Sequence, residues 1–171
     1  NFSDTLWIVD PIDGTYNYVH DNPRWCVSLG FMCQGTIEMG LLYAPARDEM
    51  YLARRGQGAT LNGRRMSVSG DRYLGQPLVE VGSSSRRSLK DYLGLIETLM
   101  TAGYETRRCG SGALGLAQVA TGTIDAYVEC HINSSSPKPA AGPTTSSPAK
   151  VSWTAVRSLP ARRTCGTHCR K

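Results

Sequence analysis

Trp7-Ile8-Val9-Asp10-Pro11-Ile12-Asp13-Gly14-Thr15 is the stretch on which the reading of this chain turns. The apolar run at residues 6–9 ends in Asp10, a pattern that predicts a buried strand feeding a functional loop. Asp10 and Asp13 lie three residues apart, with Pro11 fixing the backbone between them and Gly14 allowing a sharp turn. At a strand end such spacing can aim two carboxylates at one point, and the Ile12 carbonyl can join them. Hard oxygen donors of this kind suit Mg²⁺, which is usually held by one or two carboxylates plus waters and a substrate phosphate. Thr15 adds a hydroxyl and a backbone N–H at an expected helix start, a natural phosphate position. Asp-Pro and Asp-Gly pairs also build Asx-turns that bind nothing, so the bare D-x-x-D-G leaves both readings open.

Outward from this stretch the pattern is mixed. Residues 26–33 and 36–43 are apolar runs separated by Gln34-Gly35 and predict an antiparallel hairpin. A short strand at 49–53 leads to a turn at 55–58, and residues 59–61 and 64–68 flank Asn62-Gly63 as a second hairpin. Residues 78–81 predict a strand. From Ser88, Leu89, Tyr92, Leu93, Leu95, Ile96, Leu99 and Met100 recur at helical spacing, and Gly103 closes the segment. A polar strand at 105–109, a short helix at 113–120 and a strand at 124–129 follow. Early hairpins with later helix–strand alternation favour a layered α/β (α+β) sandwich over an all-α or all-β domain.

After Asn133 the character changes. Residues 134–171 hold five of the nine prolines, seven basic residues and no acid, with no Ile, Phe, Met or Tyr. Such a stretch cannot bury enough surface to offset chain entropy, so disorder is expected there and a domain over 1–133. The overall charge of +5 is therefore misleading as a sign of nucleic-acid binding: residues 1–133 carry twelve basic and fourteen acidic side chains, a net of −2. No apolar run approaches the ~18 residues of a membrane span. With no leader pattern in the sequence given, a cytoplasmic protein without membrane or nucleic-acid partners is expected. The chain opens at Asn1 without a Met, and its natural start is expected upstream.

The six cysteines are irregularly spaced and read as reduced, with Cys26 and Cys33 as small core residues. Cys165, His168 and Cys169 supply three metal-ligand types but no second half of a zinc site. Gly110-Ser111-Gly112-Ala113-Leu114-Gly115 matches G-x-G-x-x-G, the dinucleotide fingerprint. The polar strand before it, the two-turn helix after it and an acid that comes too early argue against that use. Trp7 and Trp25 read as packing residues, His20 as a surface residue, and Arg54-Arg55, Arg64-Arg65 and Arg86-Arg87 as solvated turn charges.

Over residues 7–18 the chain resembles the signature W-x-x-D-P-x-D-G-T-x-N-[FY] of the inositol monophosphatase family at all twelve positions. The similarity extends through 27–30, 40–43, 50–51, 55–59 and 62–63, resumes at 110–113, and runs to 125–129, covering roughly residues 5–133. The resemblance implies the layered α-β-α-β-α sandwich of the inositol monophosphatase and fructose bisphosphatase superfamily, incomplete here at both ends. It also implies Mg²⁺ ligation by Asp10, the Ile12 carbonyl and Asp13, and phosphate binding by Asp13, Gly14 and Thr15, with Thr15 helping to orient an attacking water. Gly110, Ser111 and Gly112 would form the second substrate loop, and Glu129 would contact substrate hydroxyls. The reaction implied is direct in-line attack of a metal-activated water on a small phosphate monoester of a polyol or sugar. Inositol monophosphate is the first expectation, with histidinol phosphate, a sugar bisphosphate or a nucleotide as competitors, and a homodimer is expected of the intact protein. Two departures bear on activity. The glutamate motif that precedes this loop in the family is not encoded in the nine residues before Asp10. Where the family carries Trp-Asp after the Glu129 strand, this chain has Ser135 and Ser136. A shift of reading frame near residue 133 would explain both that loss and the change of composition. A non-catalytic remnant is the alternative to an enzyme.

Overall fold

The computed structural model describes residues 5–68, 76–83 and 88–129, and the backbone pairing of Ala155–Val156. Strands β1 (Thr5–Asp13), β2 (Cys26–Cys33), β3 (Thr36–Ala44), β4 (Glu49–Arg54), β5 (Gly58–Leu61) and β6 (Arg64–Arg65) form an antiparallel meander in sequence order. The turns are chosen by residue type. Gln34 and Gly35 both have positive φ, as do Asn62 and Gly63, the mirror-image turn that matches strand twist in a two-residue hairpin. A helix, α1 (Thr15–Val19), interrupts the meander after β1, and a 3₁₀ turn, Pro45–Arg47, joins β3 to β4.

A second sheet holds β7 (Leu78–Val81), β8 (Glu105–Arg107), β9 (Ala126–Val128) and β10 (Ala155–Val156) in the order β10-β9-β7-β8. β7 pairs in parallel with both β8 and β9. The crossovers are α2 (Leu89–Thr101) and α3 (Gly112–Ala120), as parallel neighbours require. Ser88 caps α2 by accepting the Asp91 N–H, and Gly103, at φ +82, follows its end.

α3 is the helix around which the rest is laid. Leu114 and Ala117 pack against Cys26, Ala44 and Tyr51 of the first sheet, while Leu116 and Val119 pack with Ile124, Tyr127 and Leu78 on the second. The far face of the second sheet, Val79, Val81 and Ala126, is covered by Tyr92, Leu95, Ile96 and Leu99 of α2. The layers are thus sheet, helix, sheet, helix, the mixed α/β sandwich expected.

Two sequence expectations need correction. The run at 6–9 is a strand but not a buried one: Leu6, Trp7, Ile8 and Val9 are 38–54 % exposed. β1 is the edge of its sheet, beyond the strands that α3 covers, and apolarity alone does not say which strand is central. The strand expected at 64–68 is a strand only over Arg64–Arg65, followed by one further backbone bond from the Met66 N–H to the Ala59 carbonyl. Of the two cysteines read as core, Cys26 is buried and Cys33 half-buried. Trp25 meets Tyr18 edge-on, and exposed Trp7 lies against Phe31. Apart from the pairing of Ala155–Val156 with β9, the expectations for residues 134–171, including Cys165, His168 and Cys169, lie outside the described residues, as do Arg86 and Arg87.

Candidate active site

The site starts from an irregularity in β1. Asp10 pairs with Ser28 and Asp13 with Cys26, so three steps on β1 oppose two on β2. In a regular strand, residues three apart face opposite sides of a sheet. The extra residue of this bulge brings Asp10 and Asp13 to the same side, because their partners are two apart. Pro11, with no N–H to give the ladder, is the sequence reason for the break. Asp10 Oδ1 accepts the Ile12 N–H at 3.2 Å, an Asx-turn, and the Thr15 hydroxyl donates to the Ile12 carbonyl at 3.0 Å. The turn-forming reading and the site-forming reading of this stretch are therefore the same structure. Gly14 then takes φ +87 and begins α1. A Cβ there would stand 2.9 Å from the Arg24 carbonyl oxygen, so glycine is required twice over.

Asp13 meets the second half of the chain. Its Oδ2 accepts from Ser111 Oγ at 2.5 Å and from the Ala113 N–H at 2.9 Å. Ser111, 2 % exposed, is the N-cap of α3 and also accepts the Leu114 N–H at 3.3 Å. Asp13 thus sits on the positive end of α3, where a carboxylate is favoured. Its pKa is nonetheless raised: burial dominates over the two hydrogen bonds, and the charge of Asp10 adds to the rise. The Cys26 thiol lies under the same loop and is pushed up to about 12 by burial and by the neighbouring Asp13 charge. That makes it a neutral packing group.

Gly110, at φ +81, places its α-carbon beside Asn17, whose Nδ2 would be 3.0 Å from a Cβ. Asn17 is the residue whose role sequence reasoning missed, although it stands inside the twelve-residue signature. Its amide group donates to the Arg24 carbonyl at 2.6 Å and to the Cys109 carbonyl at 2.8 Å, joining α1 to both flanking loops. Gly112 lies beside Tyr127 and Glu129: a Cβ there would be 3.1 Å from the Tyr127 hydroxyl and 3.9 Å from Glu129 Oε2. Asp13 and Ser111 are bonded, Thr15 and Ile12 are bonded, and Gly112 adjoins Glu129. His20 lies on the surface against the Tyr16 ring.

Beneath the second loop is a charged cluster that spacing gave no means to foresee. Glu80, 1 % exposed in the middle of β7, pairs with Arg24 at 3.3 Å and Arg107 at 3.2 Å. Gln118 accepts from both arginines through Oε1. The G-x-G-x-x-G glycines are accounted for by packing, since a Cβ on Gly115 would strike the Tyr127 ring at 2.5 Å.

Asp10, the Ile12 carbonyl and Asp13 are the donors that the resemblance assigns to Mg²⁺. Two carboxylates and a carbonyl within four residues are oxygen donors of the number and hardness that Mg²⁺ takes from a protein. The repulsion of Asp10 on Asp13 is a cost that a divalent cation relieves. The residues fit.

The model of the inositol monophosphatase family matches residues 2–138. The chain is 39% identical over 131 residues to Nus factor SuhB of Pseudomonas aeruginosa, covering 74% of this chain and 48% of that protein. It is 40% identical over 127 residues to human inositol monophosphatase 2, covering 72% and 44%. Among solved structures, inositol monophosphatase from Anabaena superposes with a TM-score of 0.68 at 38% identity, covering 77% of this chain and 53% of that one. The chain spans about half the length of the curated relatives it matches. No helix among the described residues is long and apolar enough to cross a membrane.

Proposed function

The chain belongs to the inositol monophosphatase family, and we propose that it carries the site of a magnesium-dependent phosphoric monoester hydrolase acting on a small polyol phosphate, inositol monophosphate first. The observation that carries this reading is the single cradle made by the β1 bulge and the start of α3, with Asp13 bonded to Ser111 and Ala113 across it. Asp10, the Ile12 carbonyl and Asp13 are the residues that would hold Mg²⁺, which when bound lowers the pKa of water and neutralises a leaving alkoxide. Gly14 and Thr15 at the start of α1, with Gly110, Ser111 and Gly112 at the start of α3, offer backbone N–H groups to the phosphate. The Thr15 hydroxyl donates to the Ile12 carbonyl and keeps lone pairs with which to accept from a water. That water attacks phosphorus directly: its oxygen–phosphorus bond forms as the ester bond breaks, and the proton the water gives up ends on the oxygen of the released alcohol. Glu129 accepts from a hydroxyl of the substrate.

The test is release of inorganic phosphate from inositol monophosphate by the full chain, with and without Mg²⁺. Magnesium-dependent release that falls about 100-fold or more in Asp13→Asn supports the reading. Absence of magnesium-dependent release, or full release by Asp13→Asn, refutes it.

A second, non-catalytic reading is favoured by how well the carboxylates are already partnered. Asp10 is held by Ile12, and Asp13 by Ser111 and Ala113, so the cradle is a closed structure as it stands. The bacterial relative is named as a Nus factor rather than as an enzyme. Under this reading the chain binds phosphate or metal without turnover.

A further inference from the structure

Arg24 stands where the phosphate cradle meets the body of the fold. Its backbone belongs to the loop between α1 and β2, and its carbonyl walls the first glycine corner. A Cβ on Gly14 would be 2.9 Å from that oxygen and 3.2 Å from Ser111 Cβ. The same carbonyl accepts from Asn17 Nδ2 at 2.6 Å, and this nitrogen also donates to the Cys109 carbonyl at 2.8 Å. Cys109 is followed by Gly110, the second glycine corner, which lies against Asn17. One side-chain nitrogen thus clamps the two corners together, and the clamp is only as fixed as the Arg24 carbonyl itself.

That carbonyl is held from both sides of its residue. The Arg24 N–H donates to Asn22 Oδ1 at 3.1 Å. Arg24 Nη2 donates to Glu80 Oε2 at 3.3 Å and to Gln118 Oε1 at 3.5 Å, so the loop is anchored to β7 and to α3 at once. Neutralising the buried acid does not account for this anchor. Arg107 already gives Glu80 Oε2 two bonds, at 3.3 and 3.2 Å, and one cation matches one carboxylate. The second guanidinium carries a cost instead: Arg24 Nε is buried without a hydrogen-bond partner among the described residues.

We infer that Arg24 is a positioning residue for phosphate: its side chain anchors the loop in the Glu80–Gln118 cluster so that its carbonyl, through Asn17, sets the spacing of the Gly14 and Gly110 corners. Releasing the anchor moves a backbone N–H off the phosphate. The donors assigned to Mg²⁺ precede Gly14, and their carboxylates are held separately by Ile12, Ser111 and Ala113. Metal binding is therefore expected to survive where phosphate binding weakens. The inference rests on the phosphate-monoester reading above and adds to it a residue that touches neither metal nor substrate.

The experiment measures two dissociation constants on the full chain by calorimetry: that of Mg²⁺ alone, and that of inorganic phosphate at saturating Mg²⁺. Loss of one hydrogen bond to a charged group predicts that Arg24→Met binds phosphate about tenfold more weakly. Its Mg²⁺ constant is expected to stay within about threefold of the parent. Arg24→Lys, whose ammonium can reach Glu80, is expected to bind phosphate several-fold more tightly than Arg24→Met. Phosphate bound by Arg24→Met as tightly as by the parent overturns the inference and leaves the functional reading standing. So does an equal weakening of Mg²⁺ and phosphate, which would mark a merely structural role, or a lysine variant no better than methionine. No binding of Mg²⁺, or of phosphate in its presence, by the unaltered chain overturns the reading and the inference together. Should Arg24→Met lose its near-ultraviolet circular dichroism, Arg24→Gln, whose amide stops short of Glu80, decides by the same two constants.

Discussion

Asp13 is held by two donors and still has a raised pKa, which makes it a source of instability in the folded chain. The sign follows from proton linkage. Between the ordinary aspartate value and the raised one the folded state binds more protons than the unfolded state, so stability falls as pH rises through that window. Above the raised value the full cost is present, and below the ordinary aspartate value it is gone. Asp13→Asn keeps an acceptor for Ser111 and Ala113 and removes the charge. We expect it to stabilise the chain by about 0.5–1 kcal/mol at pH 7, with the gain vanishing at acid pH, as thermal melts across pH would show. Added Mg²⁺ should reverse the order, raising the melting temperature of the unaltered chain and not of the variant. An Asn variant no more stable than the parent at pH 7 would count against this account. Neighbouring Gly14 owes its identity to the same crowding, through φ +87 and the Arg24 carbonyl.

Among the elements, α1 has five residues and no buried side chain, too little to be stable by itself. Asn17 supplies what packing does not, by closing on the Arg24 and Cys109 carbonyls. Asn17→Ala leaves both acceptors short of a donor and is expected to cost about 1–3 kcal/mol in urea denaturation, with an unchanged slope. Asn17→Asp should cost more, since it sets a charged acceptor against two carbonyls; a variant as stable as the parent would show that water serves equally well. This is also the scale at which sequence reading succeeds and fails. Hairpins at Gln34-Gly35 and Asn62-Gly63 were legible because positive φ at two successive residues demands those types. The span of α2 was legible from its apolar period and its Ser88 and Gly103 ends. The exposure of β1 was not, because strand order in a sheet is a long-range property. Nor was the bulge: Pro11 signals that a ladder breaks, but only the pairing of Asp10 with Ser28 and Asp13 with Cys26 shows that both carboxylates then share a side. The surroundings of Tyr127 were legible only in part, since Glu129 lies two residues away but Gly82, Gly112 and Gly115 come from elsewhere in the chain.

Across the whole molecule, the cluster of Arg24, Glu80, Arg107 and Gln118 is what ties the loop after α1 to the second sheet. Glu80 is buried far enough that losing a cation is costly, although Arg107 would remain. Arg24→Met is expected to destabilise the chain by about 1–3 kcal/mol, and Glu80→Gln in the same chain to recover most of it. Chemical denaturation of the two single variants and the double variant measures the coupling; additive costs would mean that the pair does not act as a unit. The bond between Ser111 and Asp13 spans 98 residues of sequence. At a translation rate of roughly 5–20 residues per second, the acidic loop leaves the ribosome about 5–20 seconds before the serine and helix that enclose it are made. Until then Asp13 has neither the Ser111 hydroxyl nor the Ala113 N–H to hold it. The Mg²⁺ proposed for this site would, on this order of synthesis, meet the acidic loop before the helix that encloses it.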